Sequence, residues 1–310
     1  MGSIIQLVFR RFIVRLLWVA FLTTFGIHLC LTLLPAKRLV DPNARLGEQQ
    51  VQVRKWEHKH YLSWVSSTLQ FKMPISDQGT GDWEVREFVL RVNRSLTLCF
   101  ISFLAAALVG IFFGTFAASM DFELLSGKPG WMRHLFFSSS RWTLFIFSSL
   151  PAYIIAYLVF LLFSSSSSLA MAVFALALGS GTGMDIARMT QNTHARQLRS
   201  KYVESAIGNG LKTRGILPLP GYVGWHAFRN SLITVLPVTA MKLPLIVSSA
   251  MIVEVVFDLP GMGESLLHAL INQDVPMILS IVLISVAFVQ VCLFAAEFLV
   301  FLLHPKALVQ

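Results

Sequence analysis

Two stretches of this 310-residue chain, Leu16 to Leu34 and Met277 to Ala296, contain no Lys, Arg, Asp or Glu. Each matches the roughly 20 residues a helix needs to cross a bilayer core, where every backbone polar group must be satisfied internally. Residues of the types AVILMFWYC make up 55% of the chain and DEKR only 13%, against about 25% charged in a typical globular protein. A soluble domain of this size cannot bury so much apolar surface. The sequence therefore predicts an all-α polytopic membrane protein with six transmembrane helices, at about 12–34, 95–118, 142–163, 169–187, 231–256 and 277–302.

The first run follows Arg10, Arg11 and Arg15, as the core of a signal peptide would. Its length and the lack of a small-x-small cleavage site before Pro35 favour a retained helix. In the fourth run Gly179, Gly181 and Gly183 alternate with Ser180 and Thr182; small residues let helices approach closely in a membrane, so this is expected to be an interior helix. Pro237 and Pro244 predict kinks in the fifth.

The net charge of +9 does not point to nucleic acid, because the basic residues lie in short flanks between apolar runs, where they set topology. The segments after the third and fifth spans have no Lys or Arg, whereas 188–230 holds seven, so 188–230 and both termini are expected in the cytoplasm. Residues 35–94 would lie outside as a separate extracytoplasmic loop or cap between the first helix (1–34) and a core at 95–310. Their ten basic residues are offset by seven acids, and long loops cross with little regard to charge. Trp56, Tyr61, Trp64, Phe71 and Trp83 there suit either a folded cap or rings anchored at the interface. Cys30, Cys99 and Cys292 sit far apart inside apolar runs and read as small buried hydrophobes. The Ser164–Ser168 tract reads as a polar turn.

No nucleophile-base pair, metal cluster or phosphate cradle stands out. His58 and His60 would share one face of a strand and can bind a metal there, but they have no nearby Cys, and solvated imidazoles are the simpler reading. A G-x-x-x-x-G-K-[ST] loop is missing, so the chain does not hydrolyse ATP through that motif.

Tyr202-Val-Glu-Ser-Ala-Ile-Gly-Asn-Gly210 carries Glu204, Ala206 and Gly210 at the spacing Glu-Ala-Ala-x-x-x-Gly, with Ser205 as a small second residue. Glu254-Val-Val-Phe-Asp-Leu-Pro-Gly-Met-Gly263 fits Glu-x-Val-Phe-x-x-Pro-Gly-x-Gly. His226-Ala-Phe-Arg-Asn230, Gln273-Asp-Val-Pro276, Arg188 with Thr190, Ser149-Leu-Pro151, Arg94-Ser-Leu-Thr97 and Glu297 follow in matching order. Over nearly its whole length the chain resembles the permeases of the dipeptide, oligopeptide and nickel ABC importers.

The resemblance implies a type I ABC importer permease fold, without catalytic or metal residues, in a bacterial or archaeal inner membrane. The chain would form half of a translocation pore for peptides or a related small solute. It would pair with a second homologous permease subunit, two cytoplasmic ATPase subunits that carry the ATP and Mg, an extracytoplasmic solute-binding protein and membrane lipid. Tyr202, Glu204, Ser205, Ala206, Gly210 and Arg214 would couple to an ATPase. Lys242, Glu254, Pro260, Gly261 and Gly263 would belong to the pathway or gate. Lys242 sits in an apolar span, where charge is costly; it is expected to meet a substrate carboxylate or Glu254, or else to form a structural ion pair or snorkel. Glu254 can alternatively hold the turn from Asp258 to Gly263. The chain departs from the pattern in about six extra residues between Gly210 and His226, in Lys201 at a usually acidic position, and in a short segment after the third span. These departures leave open a degenerate permease acting as scaffold or sensor. An ion-coupled secondary carrier is the rival from another class.

Overall fold

The computed structural model describes residues 2–33, 38–39, 52–53, 58–69, 82–126, 151–163, 168–178, 181–210, 222–272 and 274–303. Almost all of them are helical: α1 (Gly2–Leu33), α2 (His58–Leu69), α3 (Asp82–Ser126), α4 (Ala152–Phe163), α5 (Ser168–Leu178), α6 (Thr182–Leu198), α7 (Lys201–Gly208), α8 (Tyr222–Ala240), α9 (Leu243–Val256), α10 (Met262–Asn272) and α11 (Val275–Leu303). Two-residue strands β1 (Arg38–Leu39) and β2 (Gln52–Val53) pair antiparallel, Arg38 opposite Val53. Helix is the required outcome for such apolar runs, because in lipid it alone satisfies each N–H and C=O within one segment.

Among the described residues three helical stretches are long and apolar enough to cross a membrane, Phe12–Leu29, Arg86–Ser119 and Val275–Leu302. A fourth results if Val223–Ala240 and Leu243–Val256, whose axes differ by 43°, form one bent span. Their surfaces suit lipid: Leu17, Trp18 and Leu22 on α1 and Leu108 and Phe112 on α3 are all exposed, an arrangement water would penalise. The six expected spans therefore need adjustment. The second extends into a 45-residue helix that begins at Asp82, inside the stretch assigned to the outer loop. Only 151–163 of the third span is described, and its helix has 12 residues. The fourth divides into α5 and α6, with Gly181 in the left-handed region at φ 68° before Thr182. Glycine adopts that conformation without the Cβ penalty other residues meet.

The chain forms two compact units. The first contains Met1–Val89 and Ser265–Gln290. In it α2 lays Tyr61 and Trp64 against Ile27 of α1 and Val275 and Leu279 of α11. The Tyr61 hydroxyl lies 3.2 Å from Thr24 Oγ1 and its ring stacks on His28 at 4.4 Å. These two aromatics are thus packed rather than spread at an interface; Trp56, Phe71 and the Trp83 side chain lie outside the described structure. His58 and His60 occupy the first turn of α2, not a strand.

The second unit contains Leu90–Glu264 and Val291–Gln310. Here α3 crosses α6 with almost no side chain between them: a Cβ on Gly110 would come within 2.7 Å of the Gly183 carbonyl oxygen, and one on Gly114 within 2.6 Å of Thr190 Cβ. This is the close approach that small residues four apart permit, and it makes α6 an interior helix. Next to it α8 packs along α6, α4 packs on α5, and α9 contacts α4 and α5. Cys99 is buried and Cys292 half-buried.

Candidate functional site

The first group of candidate residues lies on α7. Ser200 precedes the helix in an extended conformation, and after Asn209 the chain turns through Gly210 at φ 79°. Within this eight-residue helix only Val203 is fully buried, in a cluster with Leu198 of α6 and Val223 and Ala227 of α8, and Ala206 packs against the same cluster. Tyr202, Glu204, Ser205 and Ile207 are exposed. One apolar edge therefore fastens α7 to α6 and α8, leaving the opposite face open. Tyr202 is oriented by hydrogen bonds, its hydroxyl donating to Gln197 Oε1 at 3.0 Å and accepting from Asn230 Nδ2 at 3.5 Å. Its ring meets His226 edge to face at 5.7 Å. Nothing lies within 4 Å of a Cβ built on Gly210; its conformation, not crowding, calls for glycine. Arg214, together with Pro218 and Pro220 of the insert, lies outside the described residues.

Beneath α7, His194 of α6 is fully buried. It meets Phe228 edge to face at 6.1 Å, and neither ring nitrogen has a hydrogen-bond partner of normal geometry. Burial disfavours the imidazolium and pushes the pKa down to about 4, the nearby Ala227 backbone opposing this weakly. The sequence had given no reason to single out this histidine.

The second group divides between two places. Glu254, Gly261 and Gly263 come together at the end of α9. The Gly263 N–H donates to Glu254 Oε2 at 2.8 Å, the Met262 N–H donates to Ser95 Oγ at 2.7 Å, and Ser95 is also hydrogen-bonded to Glu254. The Leu259 N–H donates to the Glu254 carbonyl at 2.9 Å, and Asp258 takes a positive φ of 53°. A Cβ on Gly261 would strike the Glu254 carboxyl, and one on Gly263 would strike the Met251 backbone. Glu254 thus holds the turn, while Pro260 is exposed on its outer side. Arg91 and Glu264 form an ion pair at 2.9 Å beside it.

Lys242 is elsewhere. It caps α9 at the bend, and its Nζ donates to Asp185 Oδ2 of α6 at 2.7 Å. Glu254, twelve positions further along the same helix, is roughly 18 Å away at 1.5 Å per residue. The expected alternative pairing of Lys242 with Glu254 is therefore incorrect; an aspartate one turn into α6 has taken that role. This pair stands at one end of a cleft of about 450 Å³ whose lining includes Arg188, Asn192, Arg196 and Thr239. Among the described residues no group of three or more His, Cys, Asp or Glu is placed to hold a metal.

Residues 110–309 match the family described as the binding-protein-dependent transport system inner membrane component. The chain is also similar to peptide-transport permeases, three of which illustrate the range. It is 31% identical over 121 residues to the di/tripeptide transport system permease protein DppB of Pseudomonas aeruginosa (strain UCBPP-PA14), covering 39% of this chain and 34% of that one. It is 22% identical over 300 residues to the oligopeptide transport system permease protein AppB of Bacillus subtilis (strain 168), covering 88% and 89%. It is 27% identical over 141 residues to the dipeptide transport system permease protein DppB of the same Bacillus strain, covering 46% and 44%. The aligned stretch thus spans less than half the length of two of these relatives and most of the third.

Proposed function

The chain belongs to the family of binding-protein-dependent transport system inner membrane components, and from that premise we propose that it forms half of the translocation pore of an ATP-driven peptide importer. A second permease would complete the pore, two ATPases would drive it, and an extracytoplasmic binding protein would deliver the cargo. The names of the similar proteins, which are permeases of dipeptide, di/tripeptide and oligopeptide transport systems, support peptides as the cargo class.

The observation that carries the coupling assignment is the mounting of α7. A short helix with one buried edge and an exposed Tyr202, Glu204, Ser205 and Ile207 suits a knob seated in a partner's groove. Motion imposed on it would pass through Val203 to α6 and α8. From there α8 leads to the bend at Met241–Lys242, and α9 begins beyond it. Closure of the ATPases would thereby tilt the two halves of this broken span against each other and alternate access to the pore.

An ion-coupled carrier would instead need carboxylates free to titrate along the pathway. That reading is disfavoured by Asp185, which is ion-paired, and by Glu254, which is bound into a turn. Replacing exposed Ile207 with a photo-crosslinking residue in the purified complex tests the coupling proposal. Adducts with an ATPase subunit are expected; adducts with lipid alone, in a preparation that retains the ATPase, would refute it.

A further inference from the structure

We propose that Asp185 is a gating residue of this subunit, whose ion pair with Lys242 latches α6 to the bend between α8 and α9 and opens once in each transport cycle. The proposal rests on the import reading and adds to it the contact that the cycle must break.

Helices α6 and α8 run antiparallel, since Leu198 clusters with Val223, His194 meets Phe228, and Asp185 reaches Lys242 just past the end of α8. At the α7 end they are joined by apolar packing. About 14 Å away, back along α6 from His194 at 1.5 Å per residue, the Asp185 carboxylate accepts a hydrogen bond from Lys242 Nζ at 2.7 Å. Between these contacts lies the cleft of about 450 Å³, lined by Met189 and Thr193 of α6 and by Thr234 and Val238 of α8. The ion pair thus clasps the helices across an open space.

At the bend the backbone restrains α9 weakly. Pro237 and Pro244 have no N–H to give the helical ladder, and the Lys242 N–H bonds to the Thr239 carbonyl, only three residues back, at 3.1 Å. The 43° between the two halves therefore depends on what side chains hold, and Lys242 stands at the joint as the residue capping α9. A charge within a membrane span faces the protein interior or a water-filled cavity, and this pair borders the cleft. Its lysine and aspartate side chains keep 32% and 42% of their exposure. A buried pair is costly to separate, because each charge is stranded without a partner; a pair this open contributes little net energy. On separation, Asn192 and Thr239 in the cleft wall offer polar groups to the released charges. The contact is strong enough to bias the bend and weak enough for ATP-driven motion, arriving through α7, to break it.

The test uses the complete transporter, with its permease, ATPase and binding-protein partners, reconstituted in vesicles. In a chain carrying Cys30→Ala, Cys99→Ala and Cys292→Ala, the pair Asp185→Cys and Lys242→Cys is bridged with a short, reducible bis-thiosulfonate linker, and bridging is confirmed by peptide mass. ATP-dependent trialanine uptake should stop in the bridged complex and return on reduction. A second variant, Asp185→Asn with Lys242→Gln, removes the latch and strands neither charge. Its ATP hydrolysis without the binding protein should rise about fivefold, the equilibrium factor matching the upper end of what so exposed a pair contributes. Uptake that continues at the unbridged rate through the bridged complex would overturn the latch, as would unaltered hydrolysis in the neutral variant. A changed KM for trialanine with hydrolysis unaltered would also overturn it, by making the pair a cargo contact. No ATP-dependent uptake by the unmodified complex would instead sink the import reading itself, and the latch with it.

Discussion

Replacing Gly263 with alanine should be among the most damaging single-methyl changes in this chain. The added Cβ would strike the Met251 carbonyl oxygen and come within 2.8 Å of both its carbonyl carbon and its Cα. Those atoms belong to the backbone of α9, so no side-chain rotation relieves the contact. Overpacking of this kind costs roughly 1–3 kcal/mol. If Gly263 shifts to escape, its N–H leaves Glu254 Oε2, and a buried acceptor that loses its donor costs roughly another 1–3 kcal/mol. The expected loss is therefore about 2–6 kcal/mol. Gly208→Ala is the control: nothing lies within 4 Å of its Cβ, and in a helix alanine is favoured over glycine by roughly 0.5–1 kcal/mol. Thermal unfolding of the isolated subunit in mild detergent, followed by its size-exclusion recovery, should show a large fall for Gly263→Ala and no fall for Gly208→Ala. Equal recovery of the two variants would refute the claim that this turn is locked by close backbone packing.

Three further outcomes follow from the same physical arguments. Gly210→Ala should cost about 1 kcal/mol through its positive φ alone and reduce ATPase copurification, with Gly210→Asn milder because asparagine tolerates that region; equal behaviour of both variants and the unmodified chain would remove the turn from the coupling contact. His194 is held neutral, so the unfolded chain binds its proton from pH 6.5 downward while the folded chain does so only near 4; the stability it contributes is complete above about 6.5 and falls with pH toward 4, by up to about 3 kcal/mol. His194→Met should flatten that acid limb in pH-dependent melts, and an unaltered limb would contradict the burial argument. A cysteine at Lys212 should resist an impermeant thiol reagent in intact cells and react after permeabilisation, because the charge distribution places 188–230 inside; strong labelling of intact cells would invert the topology.

The helical class was legible because its cause is local: an uncharged apolar run dictates a helix in lipid wherever the rest of the chain lies. The kink in the fifth span was legible for the same reason, although its position shifted. Pro237 stays inside α8, and the break falls at Met241–Lys242, just before Pro244. Pro244 has no N–H to offer the Ala240 carbonyl, so α9 restarts with proline in its first turn. The Asp185–Lys242 pair was not legible, since it joins residues 57 apart that no periodicity relates. Ser95 belongs to the motif Arg94-Ser-Leu-Thr97, but its bond to Met262 spans 167 positions and emerges only from the fold. A further signal is present in the sequence: Gly110 and Gly114 have the small-xxx-small spacing of a close helix crossing, and they are where α3 meets α6. The family motifs marked α7 as a unit, yet the division between Val203 on the buried edge and Tyr202, Glu204 and Ser205 on the open face depends on how α7 lies against α8.

The central claim, that this chain is half of an ATP-driven peptide pore coupled through α7, is tested most directly by reconstituting the copurified complex in vesicles and measuring trialanine uptake alongside ATP hydrolysis. Two preparations suffice, one unmodified and one carrying Gly210→Arg, which places a long cation where the turn would enter the ATPase groove. The account predicts uptake that requires ATP and the binding protein in the first, and loss of uptake in the second with hydrolysis either uncoupled or absent because the ATPase has dissociated. Uptake driven by a proton or sodium gradient without ATP, or full ATP-coupled uptake in Gly210→Arg, would contradict it.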